Sequence, residues 1–259
     1  MKKINFLFIT VLGIVFFQNK TLSADNSDLR HSIKLSYEHS SFNKMFNNWA
    51  LYEIEYKRNL PWMTLLSRIK NAYRFDEYGT QLDIDAYPFK EDSYYFYINL
   101  GLSNSDIFPR ARFGLEYYKV FPELVEISLG MRYLNYSDDS VILYTSSLWK
   151  YLGSFLVSPR IFYSPREIGS STSFILEVRK DMKNYLDLIT LKTGYGISPD
   201  TAYTLEIINL NSSFIFLSLY KDLSKYWNIE LQGEVKQEEI RDNEYRQKNT
   251  FRLTVGRSF

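Results

Sequence analysis

Short stretches of this chain alternate apolar and polar side chains with a period of two. Within 31–40, Ile33, Leu35 and Tyr37 alternate with Ser32, Lys34, Ser36 and Glu38. Within 48–57, Ala50, Tyr52, Ile54 and Tyr56 alternate with Leu51, Glu53, Glu55 and Lys57. The same rhythm runs through 110–118, 125–133 and 226–236. Period two is the signature of a β-strand with two unlike faces. Here one face is apolar and the other often charged. A soluble sandwich would bury the first face, and a membrane barrel would turn it to lipid, so alternation alone fits both.

Three features favour the barrel. Phe251-Arg252-Leu253-Thr254-Val255-Gly256-Arg257-Ser258-Phe259 is an alternating strand ending on Phe. It resembles the C-terminal strand by which bacterial outer-membrane barrels are recognised for insertion, through Phe251, Leu253, Val255 and Phe259. Arg257 departs from that pattern. Next, short Lys-containing turns recur at 57–62, 90–94, 119–123, 150–153, 180–185 and 221–227. Longer polar connections lie near 41–47, 75–80, 103–109, 135–140, 164–171, 197–212 and 237–248. Short turns at one rim and longer loops at the other are the asymmetry of an outer-membrane barrel. Finally, Trp62, Trp149 and Trp227, with Tyr151, Tyr185 and Tyr226, fall beside the short turns. Aromatic rings there suit an interface girdle. Six short and seven long connections give 14 antiparallel strands, with 12 and 16 as the neighbouring even counts. The fold class is therefore all-β, a single transmembrane barrel.

The N-terminus reads separately. Met1-Lys2-Lys3, a mostly apolar stretch over 4–17 and Thr21-Leu22-Ser23-Ala24 have the order of a secretory signal peptide. The stretch is shorter than the roughly 20 residues of a membrane helix. Residues 1–24 are thus expected to be cleaved, leaving 25–259 as the barrel and an outer-membrane location. The whole chain has 31 Lys plus Arg against 30 Asp plus Glu. Removing Lys2, Lys3 and Lys20 leaves 31 − 3 = 28 against 30, a charge of −2. That balance argues against a nucleic-acid partner. The absence of cysteine excludes a disulfide scaffold or a Cys-ligated metal.

If apolar positions face lipid, the other parity faces the lumen. That places Asp83, Asp85, Arg110, Arg112, Glu116, Glu126 and Arg132 inside as lining or constriction candidates. Carboxylates accept sugar hydroxyls or cations, and guanidinium groups hold anions in bidentate geometry. The same charges also suit mutual neutralisation across adjacent strands. Inward Tyr87, Tyr95, Tyr97 and Tyr118 suit either sugar stacking or packing.

Several motifs carry a resemblance. They include Thr80-Gln81-Leu82-Asp83-Ile84-Asp85-Ala86-Tyr87-Pro88, Phe108-Pro109-Arg110-Ala111-Arg112-Phe113-Gly114-Leu115-Glu116 and Gly130-Met131-Arg132-Tyr133-Leu134. Tyr136-Ser137-Asp138-Asp139, Lys150-Tyr151-Leu152-Gly153 and Gly194-Tyr195-Gly196-Ile197-Ser198-Pro199-Asp200 follow in order. Together they resemble the YaiO family of outer-membrane barrels. The resemblance implies an outer-membrane location and a single barrel. Some relatives look associated with surface polysaccharide, and some look joined to helical repeats, for which this sequence has no pattern.

An enzyme is the less expected class. The chain has only His31 and His39, both on the outward parity of the first strand, so a His general base has no place inside. Asp83 and Asp85 leave a carboxylate-pair mechanism open, with nothing else marking a cleft. No cofactor or metal is expected. Ser137-Asp138-Asp139 and Ser198-Pro199-Asp200 read as turn formers first. The sequence reading is an outer-membrane channel or export-associated pore, linked to a carbohydrate. Its alternative is a plugged barrel with a structural or surface-interaction role. The expected partners are outer-membrane lipid, the barrel-assembly machinery and a poly- or oligosaccharide.

Overall fold

The structure is a computed structural model. It describes residues 30–43, 47–91, 93–121, 125–137, 139–165, 170–182, 186–196, 211–241 and 244–259. The signal-peptide residues, Tyr185, Asp138 and Ser198-Pro199-Asp200 lie outside these residues. Fourteen strands close into one antiparallel barrel. They are β1 (His31–Phe42), β2 (Trp49–Asn59), β3 (Met63–Arg74), β4 (Glu77–Glu91), β5 (Tyr94–Ser103), β6 (Ala111–Phe121) and β7 (Val125–Asn135). The second half is β8 (Ser140–Leu152), β9 (Phe155–Ser164), β10 (Ser171–Asp181), β11 (Leu188–Tyr195), β12 (Ser212–Asp222), β13 (Trp227–Arg241) and β14 (Glu244–Ser258).

Each strand pairs with its sequence neighbours, and β1 pairs with β14 from Ser32↔Ser258 to Phe42↔Lys248. Closure leaves no edge with unpaired backbone groups, which a bilayer requires. Large apolar side chains cover the outer surface. Tyr52, Ile54, Leu100, Leu129, Ile161, Ile215 and Phe251 are all well exposed there. Glu53, Asp83, Asp85, Glu116, Glu126, Glu177 and Lys236 are buried on the opposite parity. The burial therefore inverts that of a soluble protein.

Both chain ends of the barrel lie at the rim of the short connections, where Arg30 and Phe259 meet Asn59 and His31 through backbone bonds. On β14, Phe251 and Phe259 are exposed, with Leu253 and Val255 half-buried on the same outer face. Arg257 shares that face, and its guanidinium lies 5.4 Å from the Trp227 ring centroid.

Two connections expected to be long are tight. β3 and β4 are joined by Phe75-Asp76 alone, both at positive φ (53° and 64°). That backbone fits a two-residue hairpin turn and normally favours Asn-Gly. Phe75 offsets that strain by packing, its ring centroid 4.8 Å from that of Trp49 and its side chain against the cluster of Leu51, Ala72, Ile107 and Phe108. β13 and β14 likewise run on through the polar stretch 237–248. There, inward Glu238 pairs with both Lys236 and Arg246, each at 2.8 Å, so polarity reflects ion pairing rather than a loop.

Candidate functional site

The inner wall of β2–β6 is a charge ladder. Register places Glu53 opposite Lys70 and Glu55 opposite Arg68. On the next strand, Lys70 Nζ lies 2.9 Å from Asp83, and Arg68 pairs with Asp85. Asp83 is 0% exposed and also takes Arg112 at 2.7 Å. Arg112 stands two strands away, beyond Gly101 in register. A Cβ at Gly101 would come within 2.5 Å of Asp83 Oδ1, so glycine is what lets the pair form across β5. Arg252 of β14 extends the ladder to Glu53 at 2.6 Å and Glu38 at 3.6 Å.

A second cluster fills the lumen at β5–β9. Arg160 pairs with Glu116 at 3.0 Å, and Ser128 Oγ donates to Glu116 at 2.5 Å. Tyr95 donates to Glu126 at 2.9 Å and stacks on Tyr118 at 4.5 Å between centroids. Tyr97 donates to Asp85 and packs against Tyr87. Arg132 lies 5.8 Å from the Phe162 ring centroid. The inward tyrosines thus contact each other and the charged network.

Asp83, Asp85, Arg112, Glu116, Glu126 and Arg132 all sit on the inner face, but two other residues do not sit where sequence parity put them. Arg110 precedes β6, lies exposed in the β5–β6 connection, and pairs with Asp106 at 3.4 Å. Trp149 is only 6% exposed and points inward, its indole N–H donating to Ser147 Oγ at 2.9 Å. It is therefore not an interface ring, whereas Trp62 and Trp227 are exposed beside the short connections.

The β5–β6 connection was not expected to enter the lumen. Phe108 (1% exposed) and Ile107 are buried against Leu51 and Ala72. Gly79 admits them, since a Cβ there would approach Ile107 Cγ1 to 2.6 Å. The Arg74 guanidinium lies 5.5 Å from the Trp49 centroid and 5.6 Å from that of Phe108. This cluster covers part of the mouth at the long-loop rim.

Outside the strands, Asp106 accepts hydrogen bonds from Ser137 and Arg110, which hold its carboxyl below the ordinary value. Asn47 and Tyr73 do the same for Asp76, at 2.6 and 2.8 Å. A depressed carboxylate contributes stability above its unfolded value, and this is lost as pH falls through the folded value. Hydrogen exchange in residues 103–110 is expected to speed up between about pH 5 and pH 3, where carboxylates protonate. A rate that follows only the intrinsic pH dependence of exchange contradicts this.

Space remains between the charge ladder and the β10–β14 wall. One cavity of about 330 Å³ is lined by Glu53, Lys70, Phe108, Phe216, Gln232 and Arg252, among others. A second, of about 150 Å³, is lined by Glu177, Arg179, Lys192, Phe216, Tyr220 and Gln232, among others. The two share Phe216 and Gln232, so they adjoin at those side chains, the larger facing β1–β3 and β12–β14 and the smaller facing β10–β13. Lys192 Nζ lies 5.4 Å from the Phe216 ring centroid. Among the described residues, no cluster of His, Asp and Glu could hold a metal ion.

A family model described as the YaiO membrane beta barrel domain matches residues 30–201. The chain belongs to the YaiO family. Its fold is similar to that of the CymD monoaromatic hydrocarbon channel, with TM-score 0.59 and 6% identity over 89% of each chain. It is also similar to the outer-membrane protein Omp33 of Acinetobacter baumannii, with TM-score 0.55 and 8% identity over 89% of this chain and 99% of that one. A bacterial polysaccharide outer membrane secretin gives TM-score 0.54 and 8% identity over 89% and 98%. At such identities the likeness shows the fold alone. No curated protein matches. This YaiO chain is an outer-membrane β-barrel.

Proposed function

We propose that this YaiO barrel is an outer-membrane channel for a small polar solute of carbohydrate type. The observation that carries the reading is the pair of adjoining cavities, lined by charged and amide side chains, that share Phe216 and Gln232. An aromatic face beside carboxylate, amide and guanidinium groups suits a sugar, which offers hydroxyls around an apolar ring face. Phe216 and Gln232, which border both cavities, are where a passing solute would be held. Residues 1–24 serve as the export signal, and the β14 outer face engages the barrel-assembly machinery. No enzymatic step is assigned to the lumen.

A second reading, a barrel closed to conduction with a surface or structural role, draws support from the Phe108, Trp49 and Arg74 cover. Planar-bilayer recording separates the two. The channel reading expects small single-channel steps, and larger ones for Phe216→Ala. Correctly folded protein that gives no steps, with or without that substitution, overturns it.

A further inference from the structure

Three of the recurring Lys of the short turns share a position in the barrel, whereas Lys57 is buried on the inner face. Lys119, Lys150 and Lys180 close β6, β8 and β10 on the outward parity, alternating with exposed Tyr117 and Leu148 and with Val178. Arg58 on β2 and Arg257 on β14 occupy the equivalent outward place, and Lys225 is exposed in the β12–β13 turn. All six lie at the rim that holds both chain ends. None makes an ion pair with a carboxylate among the described residues, whereas Lys221 at the same level is matched by Asp187 at 3.4 Å.

Aromatic rings occupy the same band. Lys180 Nζ lies 5.1 Å from the Phe155 centroid, Lys225 Nζ 5.9 Å from Tyr226 and the Arg257 guanidinium 5.4 Å from Trp227. These rings are exposed, as are Trp62 and Phe121. Exposed rings at this depth mark the headgroup level, and long basic side chains lay their stems on apolar surface while the charge reaches the headgroups. Among the described residues the opposite rim is mostly acidic: Asp76, Glu77, Asp106, Asp139 and Glu244 are exposed there, with Arg110 paired to Asp106. The shared outward orientation of these cations, their lack of carboxylate partners among the described residues and the mostly acidic far rim have one economical explanation.

We propose that this basic ring binds the phosphates of anionic phospholipids in the leaflet at the short-turn rim. It fixes the depth and orientation of the barrel through its outer surface. Lipid retention is read without conduction, so this proposal is independent of the channel reading.

Native mass spectrometry of the detergent-released protein tests it, with phosphatidylglycerol and phosphatidylcholine of the same acyl chains as probes. Wild type is expected to retain phosphatidylglycerol preferentially, less so as salt rises. Removing each cation should lower that preference up to about fivefold at low salt, read with Lys119→Gln, Lys150→Gln and Lys180→Gln together. Circular dichroism checks that the variant is folded. Arg110→Gln at the opposite rim is expected to leave the preference unchanged. Equal retention of both lipids by wild type, an unaltered preference in the folded triple variant, or an equal loss with Arg110→Gln overturns the proposal.

Discussion

Asp83→Ala is expected to cost the barrel about 3–5 kcal/mol, the usual penalty for stripping one partner from a buried ion pair. The carboxylate is fully enclosed and faces Lys70 at 2.9 Å and Arg112 at 2.7 Å. Its removal leaves two cations, on β3 and β6, without their shared counter-charge. The loss should propagate, because Lys70 also faces Glu53, itself held by Arg252 across the β1–β14 seam. Urea unfolding in lipid vesicles, followed by tryptophan fluorescence, measures it. A loss under about 1 kcal/mol, the scale of a solvent-exposed pair, would mean that water rather than protein neutralises these charges.

The second large effect lies on the outer face. Leu129 is 64% exposed at the middle of β7, between Tyr117 and Ser146 in register. If that surface meets acyl chains, Leu129→Arg should destabilise the protein by about 2–4 kcal/mol in a bilayer. If it met water, the change would stay within about 0.5 kcal/mol, as surface substitutions do. The same urea titration separates these results, and the smaller value would contradict the lipid-facing assignment.

These two residues also show how far the sequence was legible. Asp83 and Leu129 lie on strands whose faces differ sharply, so parity alone put one inside and the other outside. β8 lacks that contrast. Its inward residues are Val141, Leu143, Thr145, Ser147 and Trp149, and its outward ones include Ile142, Tyr144 and Leu148. With apolar side chains on both faces, Trp149 carried no sign of its direction, and its nearness to a turn suggested an interface ring instead.

Phe216 was hidden for the same reason, inside the run Phe214-Ile215-Phe216-Leu217. Phe108 was hidden differently, since its burial comes from a connection folding into the lumen past Gly79. Only the side-chain size admitted at Gly79 encodes that event. Arg110 continued the parity of β6 one residue beyond the start of that strand. The fold rests on local alternation, which a sequence displays. The free space rests on which inward side chains reach across several strands, which a sequence does not display.

The lumen is packed around the Glu116–Arg160 pair, and water is expected to reach the two cavities that run from the charge ladder to the β10–β14 wall. The chain has no cysteine, so single cysteines report this without background. Thr250→Cys and Ser218→Cys line the two cavities, whereas Ser128→Cys and Thr145→Cys sit in the Glu116–Arg160 cluster. In reconstituted vesicles, a small charged thiol reagent is expected to label the first two rapidly and the second two slowly. Equal labelling of all four, or faster labelling at Ser128→Cys and Thr145→Cys, would contradict it.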